Sequence, residues 1–168
     1  MAAPGRAIAA LEAARAADPG SRRVLQRLER LYRDTQRPRE QVEILELLTA
    51  DASGEERLEL RLAAAELYAG AAGGPAYAAD HLWAALREMP GSGAERIELL
   101  RRLSSTFLSL GRKDLWARTA EEELRSLDAR AEVFVERRRQ LQLELARAYD
   151  AELGRPDAAR RHLRALMD

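Results

Sequence analysis

Apolar residues recur along this chain at intervals of three and four. The sets are Leu25, Leu28 and Leu31–Tyr32; Leu60, Ala64 and Leu67–Tyr68; Leu99–Leu100, Leu103 and Phe107; Leu141, Leu145 and Ala148–Tyr149. With 3.6 residues per turn, each set forms one stripe on an α-helix. No useful length of chain alternates with period two, and β-branched residues are sparse. The pattern predicts an all-α protein.

Helix boundaries carry their own chemistry. Ser53-Gly54-Glu55-Glu56 and Ser92-Gly93-Ala94-Glu95 both read S-x-x-E. In that motif the serine oxygen accepts from a first-turn amide and the glutamate reaches back to the serine N–H. Pro38, Pro75 and Pro156 stand where second helices should begin, since proline lacks the N–H that would have no partner there. Gly111 and Gly154 stand where first helices should stop.

The stripes repeat. Tyr32, Tyr68, Phe107 and Tyr149 each close a first helix, at spacings of 36, 39 and 42 residues. Breaks follow the second helices at Asp18-Pro19-Gly20, Asp51-Ala52-Ser53, Met89-Pro90-Gly91 and Leu127-Asp128. A helix pair of this period is the mark of a stacked repeat. The units resemble the tetratricopeptide repeat (TPR) family. The best copy is Leu145-Ala146-Arg147-Ala148-Tyr149 followed by Gly154, Ala159 and Leu163; the next is Ala64-Ala65-Glu66-Leu67-Tyr68 followed by Gly73, Ala78, Leu82, Ala85 and Pro90. Leu103 to Phe107 with Gly111 is a third copy, in which bulky Trp116 falls where a small residue is expected. Leu28 to Tyr32 is the weakest, with Gln41 at the small position. Ala7, Leu11, Ala14 and Pro19 read as the second half of a further repeat.

The resemblance implies an antiparallel helix-pair, right-handed α-solenoid of about nine helices. It forms a single domain over 1–168, with a half repeat at 1–19 and repeats at about 20–53, 54–91, 92–130 and 131–168. Long bacterial TPR arrays are the nearest likeness, and the chain reads as a segment of such an array. Neither terminus carries an evident polar cap, so self-association through open ends is a further expectation.

Composition narrows the function. There are 28 basic and 28 acidic residues, so the net charge is zero, where a nucleic-acid module usually carries a basic excess. Cysteine is absent, which removes disulfides and thiolate chemistry. No apolar run reaches membrane-spanning length and no signal peptide is visible, so the expected setting is cytoplasmic.

No constellation points to catalysis, a cofactor or a metal. His81 and His162 occupy corresponding second helices and read as half-buried or solvent-facing. Gly70-Ala71-Ala72-Gly73-Gly74 lacks the following Lys-Ser/Thr of a phosphate loop and reads as a lengthened turn. Ser104-Ser105-Thr106 has no adjacent base. Glu121-Glu122-Glu123 reads as a solvated helix face. In Gly154–Leu166, Arg160, Arg161 and Arg164 point away from the stripe Ala159–Leu163–Leu166, which suggests a wet outer face.

In the resembled family, first helices line a concave groove that holds peptides or partner helices. Carried to this chain, the groove positions are Arg23, Arg27, Arg30 and Asp34; Glu59, Leu62 and Glu66; Arg101, Arg102, Ser105 and Ser109; Gln140, Leu143, Arg147 and Asp150. The arginines among them suit an acidic peptide or a C-terminal carboxylate, through bidentate pairing. A non-catalytic protein-interaction scaffold is the expected function. A helical-repeat nucleic-acid binder and a structural, self-assembling array are the alternatives.

Overall fold

The computed structural model describes residues 4–89, 93–128 and 131–167. Among them lie nine α-helices and no strand. Helix α1 spans Pro4–Ala17, α2 Arg22–Asp34, α3 Pro38–Asp51, α4 Gly54–Ala69 and α5 Pro75–Glu88. Helix α6 spans Ala94–Ser109, α7 Lys113–Ser126, α8 Val135–Ala151 and α9 Pro156–Arg164, with a 3₁₀ turn at Glu132–Phe134 before α8. The helices pair as α2–α3, α4–α5, α6–α7 and α8–α9, and α1 packs on α2. This is an all-α helical-repeat fold. The chain divides into two compact units, Met1–Glu88 and Met89–Asp168.

Each pair is closed by one recurring hydrogen bond, in turns of two lengths. The amide of the residue before the second helix donates to the carbonyl of the aromatic that closes the first. Arg37 donates to Tyr32 at 2.9 Å, Gly74 to Tyr68 at 2.7 Å, Arg112 to Phe107 at 2.9 Å and Arg155 to Tyr149 at 2.7 Å. One residue earlier the backbone turns left-handed, with φ of 71° at Gly73, 67° at Gly111 and 60° at Gly154. Glycine takes this conformation freely because it has no Cβ. In the α2–α3 turn the place falls to Gln36, at φ 54°. Pro38, Pro75 and Pro156 each begin a second helix, as their lack of an N–H allows.

The serine caps turn out differently. Ser53 is the N-cap residue of α4, but its side chain makes no capping hydrogen bond, and Glu56 pairs with Arg22 of α2 instead. The two-way capping box expected there is therefore not formed. Ser92 and the break at Pro90-Gly91 lie outside the described residues, as do the chain's first three residues and its last.

The core of the first unit has two apolar clusters. Ile8, Leu25, Leu28, Tyr32, Ile44 and Leu48 join α1, α2 and α3. Val42, Leu45 and Ala64 join α3 to α4, with Leu60 and Leu67 packed against them. In the second unit Leu100, Leu103, Leu141 and Leu145 are fully buried. Small residues sit where helices cross: Ala64 and Ala65 on α4, Ala78 and Ala79 on α5, Ala158 and Ala159 on α9. On α7 Trp116 takes up the expected small position and is buried, and Ala117 and Ala120 provide the close approach.

Gln36 leads to a stability prediction. A side chain in the left-handed region costs about 1–2 kcal/mol, partly offset by the extra freedom glycine has when unfolded. Gln36→Gly should stabilise the protein by about 0.5–1 kcal/mol. The readout is a higher urea midpoint with an unchanged m-value, and a lower midpoint would mean that the side chain of Gln36 contributes more than its strain.

Candidate interaction surfaces on the first helices

Helix α2 is flanked by two clefts in the first unit. One, of about 300 Å³, lies among α2, α3 and α4. Leu45, Leu48, Leu60 and Ala63 give it an apolar lining, and Gln26, Glu29, Arg30, Arg33, Glu56 and Glu59 add polar and charged groups. The other, of about 470 Å³, lies between α1 and α2, where Arg27 and Arg30 stand beside Ala7, Ala10, Leu11 and Leu31. Several of these charges are already engaged. Arg33 donates to Glu29 at 3.0 Å, Gln41 donates to the other oxygen of Glu29 at 2.8 Å, and Glu56 holds Arg22. Arg23, Arg27 and Arg30 are exposed, and among the described residues no ion pair involves them.

The anticipated groove positions therefore separate. Arg30 and Glu59 share the α2–α4 cleft, and Arg27 joins Arg30 in the α1–α2 cleft. Arg23, Asp34 and Glu66 are exposed, and Leu62 is half-buried, outside both. In the second unit Leu143, Arg147 and Asp150 line a cleft of about 340 Å³ between α8 and α9, with Ala159, Arg160 and Leu163. Arg160, Arg161 and Arg164 are exposed, as expected of a wet face on α9, while Leu163 of the stripe departs from the expectation and is exposed too. Ser105 and Ser109 donate to carbonyls of their own helix, those of Arg102 and Thr106, each at 2.8 Å. Gln140 donates to Glu144 at 2.9 Å.

Arg101 has another partner. Its Nε donates to Glu123 at 3.1 Å, and Arg137 grips the same carboxylate through Nε and Nη2, both at 2.8 Å. Glu123 is fully buried. The reading of Glu121-Glu122-Glu123 as a solvated face is thus corrected. Glu121 accepts from Tyr149 at 2.7 Å and Glu122 from Arg96 at 2.5 Å, so all three carboxylates tie α7 to its neighbours. The signal was present in the sequence: Trp116, Ala120, Glu123 and Leu127 follow one helical stripe, and all four are buried. Arg138 donates to the carbonyls of Leu124 and Leu127, at 3.2 and 2.8 Å, and satisfies the last turn of α7. The Glu123 contact holds the Arg137 guanidinium above its ordinary pKa.

The histidines occupy two matching clusters. His81 stacks on Tyr68 with ring centroids 5.6 Å apart, and His162 stacks on Tyr149 at 5.7 Å. In each, one glutamate oxygen accepts from the tyrosine hydroxyl and lies 3.7 Å from the histidine Nε2, on Glu46 in the first unit and Glu121 in the second. Tyr32 donates likewise to Glu12. Burial, then the glutamate contact, pushes Tyr32 and Tyr149 up to about 12. Burial holds both imidazoles below their ordinary pKa, partly opposed by Glu46 or Glu121. Asp80 also favours the charged form of His81, while Arg61 opposes it, as Arg161 does for His162. The Nδ1 of His81 is buried without a hydrogen-bond partner, so a proton there would have no acceptor.

No group of three or more metal-capable side chains is found among the described residues, and no described helix is long and apolar enough to cross a membrane.

No protein-family model matches this chain, and no curated protein matches it in sequence. Solved structures do. The TPR-like repeats of a Podosopora anserina protein assigned as a kinesin light chain are 21% identical, with a TM-score of 0.54 over 98% of this chain and 87% of that one. A single-residue variant of those repeats is 20% identical at the same TM-score, over 98% of this chain and 85% of that one. A crystal structure of MamA is 18% identical, with a TM-score of 0.47 over 96% of this chain and 85% of that one. The kinesin light chain repeats establish the fold: this chain is a TPR-like helical repeat.

Two predictions come from these contacts. Glu123 is the buried partner while Arg101 and Arg137 reach solvent in part, so Glu123→Ala should destabilise the second unit by about 1–3 kcal/mol through lost hydrogen bonds and packing. Urea unfolding followed by Trp116 fluorescence, with Trp83 replaced by Phe, measures this, and a loss near zero would show that the arginines find water instead. For the histidines, a lowered folded pKa means the unfolded chain binds the proton more readily. Their contribution is complete above the unfolded pKa of about 6.5 and is lost as pH falls below it. The thermal midpoint should decline between about pH 7 and pH 5.5, and the decline should flatten in a His81→Gln/His162→Gln variant. Equal slopes for variant and parent would remove the histidines from the pH response.

Proposed function

We propose that the chain is a non-catalytic protein-interaction scaffold that holds an acidic peptide or partner helix against its first helices. The observation that carries this reading is the pair Arg27 and Arg30, exposed beside apolar lining and without ion-pair partners among the described residues. A guanidinium with no internal carboxylate can pair bidentately with one brought by a ligand, and the apolar lining adds area to bury. Arg101 belongs to the support of the fold, because it holds Glu123. A TPR-like fold supports the reading in general, since helical repeats present extended surfaces to peptides. A cytoplasmic setting accords with this role.

Selection of a displayed random-peptide library against the parent chain tests the proposal. Enriched peptides should be rich in Asp and Glu, and an Arg27→Glu/Arg30→Glu variant with an unchanged helical CD spectrum should bind them at least about tenfold more weakly. Peptides that bind the variant as well as the parent would move the site elsewhere. Recovery of binders without acidic residues would overturn the charge argument.

A further inference from the structure

The cleft between α8 and α9 has an internal counterpart that shows how it is filled. Aligned on their closing tyrosines and turns, Leu143, Arg147, Asp150 and Leu163 match Gln26, Arg30, Arg33 and Leu45 of the α2–α3 pair. Those four residues line the cleft over which α4 lies. There Leu45 is 3% exposed, and Leu60, Ala63, Ala64 and Leu67 of α4 pack around it and Val42. In the second unit Leu163 is 47% exposed and Leu143 41%. We propose that the α8–α9 cleft is a docking site for an amphipathic helix with an acidic first turn, seated as α4 is seated on α2–α3. The inference rests on the reading of the chain as an interaction scaffold and adds a second, separately testable site to it.

Charge selects the partner. Helix α4 begins with Glu55 and Glu56, and Glu56 pairs with Arg22 of α2. The match to Arg22 on α8 is Arg139, which is exposed. Arg147, Arg160 and one carboxylate, Asp150, line the cleft, and Arg160 is paired with Asp157 at 2.5 Å, which leaves Arg147 as the cleft's unpaired cation among the described residues. A carboxylate near the start of the incoming helix would meet Arg139, and its apolar face would cover Leu143 and Leu163. A second copy of this chain fits less well. Its α1–α2 cleft would set Arg27 and Arg30 against Arg139 and Arg147, and like charges oppose that pairing.

The probe is a fluorescein-labelled peptide with the α4 sequence, Gly54–Ala69, held helical by a side-chain staple because 16 residues alone form a marginal helix. Its anisotropy is titrated with the full chain. Saturable binding is expected, weakened at least about tenfold by Leu163→Glu and by Arg139→Glu/Arg147→Glu. Leu143→Glu gives a second apolar test at an exposed site, and circular dichroism checks each variant's fold. The Arg27→Glu/Arg30→Glu variant should bind the probe as the parent does, which separates this site from the first unit's clefts. Absence of saturable binding, insensitivity to both leucine changes, or equal loss in the Arg27→Glu/Arg30→Glu variant would each overturn the proposal.

Discussion

Every helix pair in this protein is closed by one backbone hydrogen bond, from the amide before the second helix to the carbonyl of the aromatic that closes the first. The bond follows a left-handed residue just upstream, and it spans five residues in the α2–α3 and α6–α7 turns and six in the α4–α5 and α8–α9 turns. Much follows from that register. It turns Tyr32, Tyr68 and Tyr149 so that each hydroxyl reaches a glutamate on the preceding second helix. It sets the sixth residue after Pro75 and after Pro156, a histidine in both, flat against the tyrosine ring. The turn that reverses the chain thereby also positions the polar contacts between successive repeats. Gln36 shows that the geometry is imposed by the whole pair, because it holds even where the side chain disfavours it.

Both units have apolar cores, and the second adds a buried carboxylate to its own. The first rests on apolar clusters that run from α1 through α4, with its ion pairs Arg57–Glu88 and Arg61–Glu88 only partly buried. The second places a carboxylate in the core stripe of α7 and surrounds it with Arg101 and Arg137. Desolvating those charges offsets much of their attraction, so the network adds little net stability over an apolar core. It does restrict geometry. Arg101 of α6 and Arg137 of α8 must both reach Glu123 of α7, which ties the three helices to one another.

The fold was legible because its signals are periodic and local: stripes at three and four residues, prolines at helix starts, glycines at two of the left-handed positions. The candidate site was legible only in part. An arginine at a first-helix position reads the same in sequence whether it faces solvent, as Arg27 does, or reaches a buried carboxylate, as Arg101 does. Local polarity misassigned Glu121-Glu122-Glu123, although the helical spacing of Glu123 with Trp116 and Leu127 carried the correct answer. The Ser53 cap failed for a related reason. Glu56 had a distant competitor in Arg22, 34 residues away, and no local motif registers such a partner.

These assignments change what the composition means. A balanced charge count could describe a protein with no electrostatic preference at all. Here both signs are paired internally: Glu12, Glu29, Glu46, Glu56, Glu121, Glu122 and Glu123 each accept from an internal donor, and Arg22, Arg33, Arg96, Arg101 and Arg137 are among those donors. Arg27, Arg30, Arg139 and Arg147, on the α2 and α8 surfaces, have no internal carboxylate partner among the described residues. A chain of zero net charge can therefore present locally cationic clefts, because the arginines that internal pairing leaves over stand together on α2 and on α8. The ligand field of such a repeat is set by the charges left over after the helices have been joined, and these are found only by following each carboxylate to its partner.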